Sequence, residues 1–231
     1  MPTPTPTPMP MPMPRPYRVA LGALVLVLGV TVALSGTGAA AQRPSTQDAA
    51  NVETLLAAMR GAGPIPCGLA LGVVEGNGWG NWSGRTMSGI DSVTDGIRVW
   101  LGEGITDPAV VPTLSAALRS TDACERQVAA RLLGRTRNGA ALRALTDASR
   151  APEVTTRELA ALGLGFTDSP SAYEPLVSTL RDQAPSVRAA SAMALGQLEE
   201  RRATSVLVTV LANDRAPEVR RAAAVALGRM D

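Results

Sequence analysis

A leucine followed by a glycine recurs at nearly even intervals between residues 101 and 228. The glycines lie 32, 29, 33 and 32 residues apart. Such a period is typical of stacked helical or mixed units, none of which can bury its apolar face alone. The repeat therefore constrains the fold more than any other feature of the chain. The pairs are Leu101-Gly102, Leu133-Gly134, Leu162-Gly163, Leu195-Gly196 and Leu227-Gly228.

Each copy has the pattern of an amphipathic helix. In one copy, Val187, Ala190, Ala194 and Leu195 fall at i, i+3, i+7 and i+8, which forms a single apolar stripe. Pro185 stands near the start of this helix, where a missing amide is tolerated. Further apolar segments precede the last four of these helices, at 109–118, 140–145, 172–180 and 203–211. The predicted unit is a helix–turn–helix, and the predicted fold is an all-α, right-handed α-solenoid with a period of about 32 residues.

The glycines after the apolar stripes have a predicted role of their own. A glycine just past the last apolar residue suits the left-handed position that ends a helix. We therefore predict helix C-caps at Gly134, Gly163, Gly196 and Gly228.

Composition agrees with closely packed helices and disfavours much enzyme chemistry. The chain has one phenylalanine, so its core must be filled by alanine, leucine and valine. It has no histidine, which is the commonest general base and metal ligand. Two cysteines cannot by themselves form a structural zinc site. We expect no catalytic residue, no metal and no cofactor.

Two copies match a known repeat closely. They read Ala184-Pro185-Ser186-Val187-Arg188 and Ala216-Pro217-Glu218-Val219-Arg220, and each continues into an Ala-x-Ala-Leu-Gly segment. The pattern resembles the HEAT repeat, in the short class named for the phycobilisome lyases, over about residues 90–231.

The resemblance implies a role for the arginine that follows the valine. In the family this arginine pairs with acids of neighbouring repeats along an inner ladder. The role would fall to Arg126, Arg188 and Arg220 here, as a structural one. Thr155 is expected to break the ladder in the copy that ends at Gly163.

Residues 1–41 are predicted to form a signal peptide. A proline-rich run ends in Arg15 and Arg18, an uncharged apolar stretch follows, and Ala39 and Ala41 form a small-residue cleavage site. Export to the periplasm or the exterior follows from this reading. An uncleaved anchor at residues 19–35 is the alternative, although its apolar run is shorter than the roughly 20 residues of a spanning helix.

Residues 42–89 are predicted to form a helical cap and a loop rich in glycine and tryptophan. Val52, Leu55, Leu56 and Met59 lie on one face of the first helix. In the loop, Trp79 and Trp82 either bind a partner or plug the open end of the solenoid.

Cys67 and Cys124 form a possible disulfide. An even cysteine count in an exported protein favours the bond. If two helical layers separated the cysteines, they would lie about 16–20 Å apart at ordinary helix spacing. The sequence leaves both outcomes open.

These features favour a non-catalytic scaffold, outside the cytoplasm, that mediates protein–protein interaction. Removing Arg15 and Arg18 leaves 20 cations and 20 acids, so the chain lacks the charge of a nucleic-acid-binding protein. One alternative is a structural subunit of an envelope complex that self-associates through the C-terminal helix. A lyase-type accessory enzyme is the remaining alternative. A membrane partner is expected only through an uncleaved anchor.

Overall fold

The computed structural model describes residues 45–74, 104–167 and 169–230. Regular structure in these ranges is helical, apart from an isolated bridge between Ile105 and Thr136. This confirms the predicted all-α class for the described residues. The α-helices are α1 (Ser45–Met59), α2 (Pro64–Val74), α3 (Val110–Ala117), α4 (Ala123–Arg135), α5 (Gly139–Ala148), α6 (Val154–Gly165), α7 (Tyr173–Thr179), α8 (Pro185–Gln197), α9 (Thr204–Asn213) and α10 (Pro217–Met230).

Several predicted features lie outside these ranges. They are the signal segment with Ala39 and Ala41, the anchor at residues 19–35, and the loop with Trp79 and Trp82. They stay predictions. None of the helices in the described part of the chain combines the length and apolarity needed to cross a membrane.

The helices form two layers of stacked pairs. Each repeat has a first and a second helix, and the pairs are α3/α4, α5/α6, α7/α8 and α9/α10. The second helices α4, α6, α8 and α10 pack closely, each on the next. Neighbouring first helices make far less contact, and α3 with α5 make the most of it. This stacking of helix pairs in chain order confirms the solenoid-like fold.

Buried leucines give the register of the repeats. The first helices carry fully buried leucines 31 residues apart, at Leu114, Leu145, Leu176 and Leu207. In the second helices, Gly134, Gly165 and Gly196 occupy equivalent places. The predicted alignment used Gly163 in place of Gly165, and this was wrong. The corrected glycine spacings, up to Gly228, are 31, 31 and 32, which removes the irregular intervals of 29 and 33.

The repeat glycines are not C-caps. Gly134, Gly163, Gly196 and Gly228 lie inside helices, and the positive-φ glycines of the described residues are Gly61 and Gly104. The helices continue at least one residue past each of the four, since α4, α8 and α10 end at Arg135, Gln197 and Met230. The predicted C-cap role is therefore wrong.

Three of these glycines, together with Gly165, allow neighbouring second helices to approach closely. A Cβ at Gly196 would lie 2.6 Å from the Cα of Ala226, and one at Gly165 would lie 2.8 Å from the Cα of Ala194. At Gly134 and Gly163 the Cβ would likewise collide with the backbone of the adjoining second helix. Nothing lies within 4 Å of a Cβ at Gly228 among the described residues.

An arginine near the start of each second helix holds the preceding turn. In all four repeats its Nη1 donates to two backbone carbonyls of that turn, as Arg188 does to Asp182 and Gln183, at 2.9 and 3.1 Å. The equivalent arginines are Arg126, Arg157, Arg188 and Arg220. The expected break at Thr155 is therefore wrong, because Arg157 occupies this place two residues later.

Two of these arginines also join one repeat to the next. Arg157 donates from Nε and Nη2 to the carboxylate of Asp182, at 2.7 and 3.0 Å. Arg188 makes the same two bonds to Asp214, both at 2.8 Å. These bonds hold the pKa of each aspartate below its usual value. Because these two arginine–aspartate pairs are bidentate and largely buried, they are stronger than ordinary surface ion pairs.

The ladder is interrupted between the first and second repeats. Arg157 donates to the carbonyl of Ala151 as Arg188 does to that of Asp182, so Ala151 stands where an aspartate stands in the next two repeats. Nε of Arg126 is consequently buried without a hydrogen-bond partner. Arg220 keeps its two carbonyl contacts, and no acid of the described ranges pairs with it.

The N-terminal helices pack on the first repeat. α1 contacts α3 and α4, and α2 contacts α4. The predicted apolar face of α1, with Val52 and Met59 fully buried, points into this contact. A disulfide joins Cys67 of α2 to Cys124 of α4, with Cα atoms 5.7 Å apart. No helical layer separates the two cysteines, because α2 lies directly against α4.

Polar contacts beside the disulfide fix the same joint. Arg60 pairs with the buried carboxylate of Glu125 at 2.8 Å. The amide of Gly61 donates to Asp122, whose other carboxylate oxygen caps α4 by accepting from the amide of Glu125. The hydrogen bond from Arg60 is the main cause of the lowered pKa of Glu125.

The glycine contacts predict opposite outcomes for two alanine substitutions. Gly196→Ala should lower the free energy of unfolding by about 1–3 kcal/mol, because its Cβ collides with backbone. Gly228→Ala is the matched control and should be neutral or stabilising by up to about 1 kcal/mol, since alanine favours helix more than glycine does. Urea denaturation followed by circular dichroism measures both. Equal effects would contradict the packing role.

The ladder gap predicts a stabilising substitution. Ala151→Asp should raise the free energy of unfolding by about 1–2 kcal/mol, because the carboxylate would accept from the buried Nε of Arg126. Urea denaturation at pH 7 tests this, with Ala151→Asn as the uncharged control.

The gain should depend on pH in a defined direction. The pKa of the new aspartate would be depressed in the folded state, as for Asp182 and Asp214. Its stabilisation should be complete above the unfolded-state pKa of about 3.9 and be lost as pH falls through the folded-state pKa. An equal gain in the free energy of unfolding for Ala151→Asn, or a gain that survives full protonation of the aspartate, would contradict the assignment of position 151 as the missing acid opposite Arg126.

Candidate binding surface

The second helices present one face away from the first helices. Positions four residues apart lie on the same side of a helix, and equivalent positions of α4, α6, α8 and α10 form rows across the layer. The rows are Gln127, Glu158, Ala189 and Arg221; Arg131, Leu162, Met193 and Val225; and Arg135, Phe166, Gln197 and Arg229. Each of these residues is half-buried or exposed. We call these twelve residues the inner face.

The middle row of the inner face is apolar over three repeats. Leu162 and Met193 pack partly against the core, and Val225 is 45% exposed. Helices in contact lie about 8–10 Å apart, so these side chains are close enough to form one surface. Ala189 and Phe166 extend it on either side. The chain therefore carries a row of partly exposed apolar side chains across three successive second helices, which we call the apolar strip.

An aromatic ring and two cations occupy one end of the strip. The guanidinium groups of Arg131 and Arg135 lie 5.8 and 5.9 Å from the ring centroid of Phe166. Phe166 sits at the end of α6, and its Cβ fills the space left by the missing side chain of Gly134. Cation–π contacts at this distance hold the ring and the arginines together. The end of the strip is thus a preformed platform.

A groove adjoins this platform where the second helices end. Its volume is about 480 Å³, and it shares Arg135, Phe166 and Gln197 with the inner face. Arg137 and Glu200 also line it. Hydrogen bonds from Arg202 lower the pKa of Glu200 to about 2, so this carboxylate stays charged at any ordinary pH. The groove therefore presents fixed charges of both signs beside an aromatic ring.

Cations predominate on the inner face. Arg131 and Arg135 lie at one end, Arg221 and Arg229 lie at the other, and Glu158 is the acid among the twelve residues. Arg229 donates to the side-chain oxygen of Gln197 at 2.7 Å. The apolar strip is thus bordered by positive charge at both ends.

The residues predicted from sequence lie elsewhere. Arg126, Arg188 and Arg220 bind turns and repeat interfaces, and the bond of Cys67 to Cys124 fastens α2 to α4. Sequence reasoning missed the inner face. The signal that could have revealed it is the spacing of 31, 31 and 32 along the middle row.

The described residues contain no group of three or more histidine, cysteine, aspartate or glutamate residues arranged to hold a metal ion.

Comparison with known proteins places the repeats in a family. Residues 148–228 match the family model of HEAT repeats. No curated protein matches the chain. Human deoxyhypusine hydroxylase in complex with glycerol is a similar solved structure, with 19% identity and a TM-score of 0.46 over 93% of this chain and 74% of that one. An engineered protein is similar at 18% identity and a TM-score of 0.39, over 90% of this chain and 95% of that one.

Likeness at these values bears on neither activity nor ligand. The family match covers α6 to α10 for most of their length, where the register and the arginine ladder are regular. Residues 148–228 of this chain are therefore HEAT repeats.

Proposed function

We propose that this protein is a non-catalytic scaffold that binds a partner protein along its inner face, outside the cytoplasm. The observation that carries the proposal is the apolar middle row, in register over Leu162, Met193 and Val225. Apolar side chains that line up across repeats on a solvent-facing side are typical of interaction surfaces.

Charge and composition favour a protein partner over a nucleic-acid partner, and a binding role over a catalytic role. A chain that is neutral after export lacks the charge that drives nucleic-acid binding. In the groove, Glu200 is tied to Arg202, and the hydroxyl of Thr167 donates to the carbonyl of Leu164. Neither group is arranged as an activated base or nucleophile.

The cysteine pair supports export. Disulfides persist in oxidising compartments and are rare in the cytosol. The bond between Cys67 and Cys124 therefore agrees with a signal sequence in residues 1–41.

Export predicts a defined mature protein. Intact-mass spectrometry of the protein from its native host should give a chain that starts at Gln42, with neither cysteine modified by iodoacetamide before reduction. A chain that retains residues 19–35 in the membrane fraction would indicate the anchor. Cytoplasmic protein with two free thiols would contradict export.

Photo-crosslinking tests the binding face. Met193→p-benzoylphenylalanine places the probe in the middle of the strip, and Ser178→p-benzoylphenylalanine places it at an exposed site on the first helix α7. We expect adducts with a partner protein in the native host from position 193 and about tenfold fewer from position 178, because only position 193 lies on the inner face. Equal adducts from both positions, or adducts from position 178 alone, would reject the proposal.

Self-association is a second candidate, favoured by one observation. Val208 and Leu211 of α9 are 50% and 37% exposed, and Gly228 has space beside it. A second copy could pack there as one repeat packs on the next. In the same experiment it would produce an adduct of twice the mass of the chain, which separates the two candidates.

A further inference from the structure

The charges that border the apolar strip specify what kind of segment fits it. Resting on the proposed function, we propose that the inner face binds a segment of the partner protein in which apolar side chains are followed by carboxylates. The apolar side chains lie on Leu162 and Met193, and the carboxylates meet Arg221 and Arg229. The second copy and a basic partner are outcomes that the test distinguishes.

The apolar part of the site is preformed. Leu162 and Met193 pack partly against the core, and the ring of Phe166 makes cation–π contacts with Arg131 and Arg135. A segment that covers these side chains removes apolar surface from water without ordering them further, which favours binding. This end of the strip therefore selects apolar or aromatic side chains.

The α10 end selects negative charge. Arg221 and Arg229 are both exposed and lie two helical turns apart on one side of α10, with Val225 between them. Glu218 lies one turn before Arg221 and offsets part of this charge. Two guanidinium groups against one carboxylate still leave a positive end, and arginine can bind a carboxylate with two parallel hydrogen bonds.

The segment chemistry follows from combining the two ends. Leu162, Met193 and Val225 lie on successive helices, so the strip is about 16–20 Å long at ordinary helix spacing. An extended peptide of about five or six residues covers that length. Its apolar residues would come first, over α6 and α8, and its acidic residues would reach α10.

Charge reversal in the cross-linking assay tests this assignment. Arg221→Glu, combined with the probe at position 193, should lower the yield of the partner adduct at least about tenfold, because two like charges would face each other. Arg181→Glu is the matched control, since it makes the same change of charge at an exposed arginine off the inner face, and its yield should stay unchanged. Arg221→Lys should retain most of the yield. Circular dichroism confirms that each variant is folded.

Two further measurements make the outcome specific. Raising NaCl from 50 to 300 mM should lower the adduct yield several-fold in the wild-type protein and less in Arg221→Gln, which has lost one of the two charges that meet the carboxylates. Mass spectrometry of the cross-linked peptide should find aspartate or glutamate within a few residues of apolar side chains.

Failure of this inference differs from failure of the proposed function. If adducts persist at position 193 but ignore both Arg221→Glu and salt, the face binds a partner and the acidic assignment is wrong. If Arg221→Glu raises the yield, the partner segment is basic. If position 193 yields no partner adduct in any variant, the proposed function falls and this assignment falls with it.

Discussion

The close approach of neighbouring second helices is the contact on which the rest of the structure depends. It requires a residue without a side chain at Gly134, Gly165 and Gly196, where a Cβ would meet the next helix. Close spacing brings Arg157 and Arg188 within reach of the next repeat's aspartates, Asp182 and Asp214. It also lines up the exposed rows of successive helices. The ladder and the inner face are both consequences of one steric condition.

The array is held by different means along its length. Repeats two to four are joined by the bidentate pairs of Arg157 and Arg188, whereas Arg126 of the first repeat finds Ala151 of the second repeat in place of an aspartate. The first repeat is instead fastened to α1 and α2 by the disulfide and by Arg60 with Glu125. In a repeat protein, stability is roughly a sum of units and interfaces. The contact between α4 and α6 is therefore where partial opening is expected to begin.

The fold could be predicted because the repeat carries its own periodicity, but the register could not. Leu162-Gly163 is followed at once by Leu164-Gly165, and a leucine–glycine signal alone does not choose between them. Which glycine faces the next helix depends on the rotation of α6, and that is set by packing. The same ambiguity placed the expected ladder position at Thr155, two residues before Arg157, which occupies it. A glycine near the end of a helix also has the same sequence pattern whether it caps the helix or packs against a neighbour. Only the position of the neighbouring helix distinguishes the two.

The four repeats provide an internal comparison that separates packing from recognition. Core positions of the first helices keep one residue type, as the buried leucines from Leu114 to Leu207 do. Positions on the inner face change from repeat to repeat, since the middle row runs from Arg131 through Leu162 and Met193 to Val225. Leu162 and Met193 rest only partly on the core, and burial against a partner would account for their remaining apolar exposure and for that of Val225. A row that is apolar over three repeats, between arginines at both ends, is what a surface shaped by one partner segment would show, whereas a surface shaped by stacking alone would repeat itself.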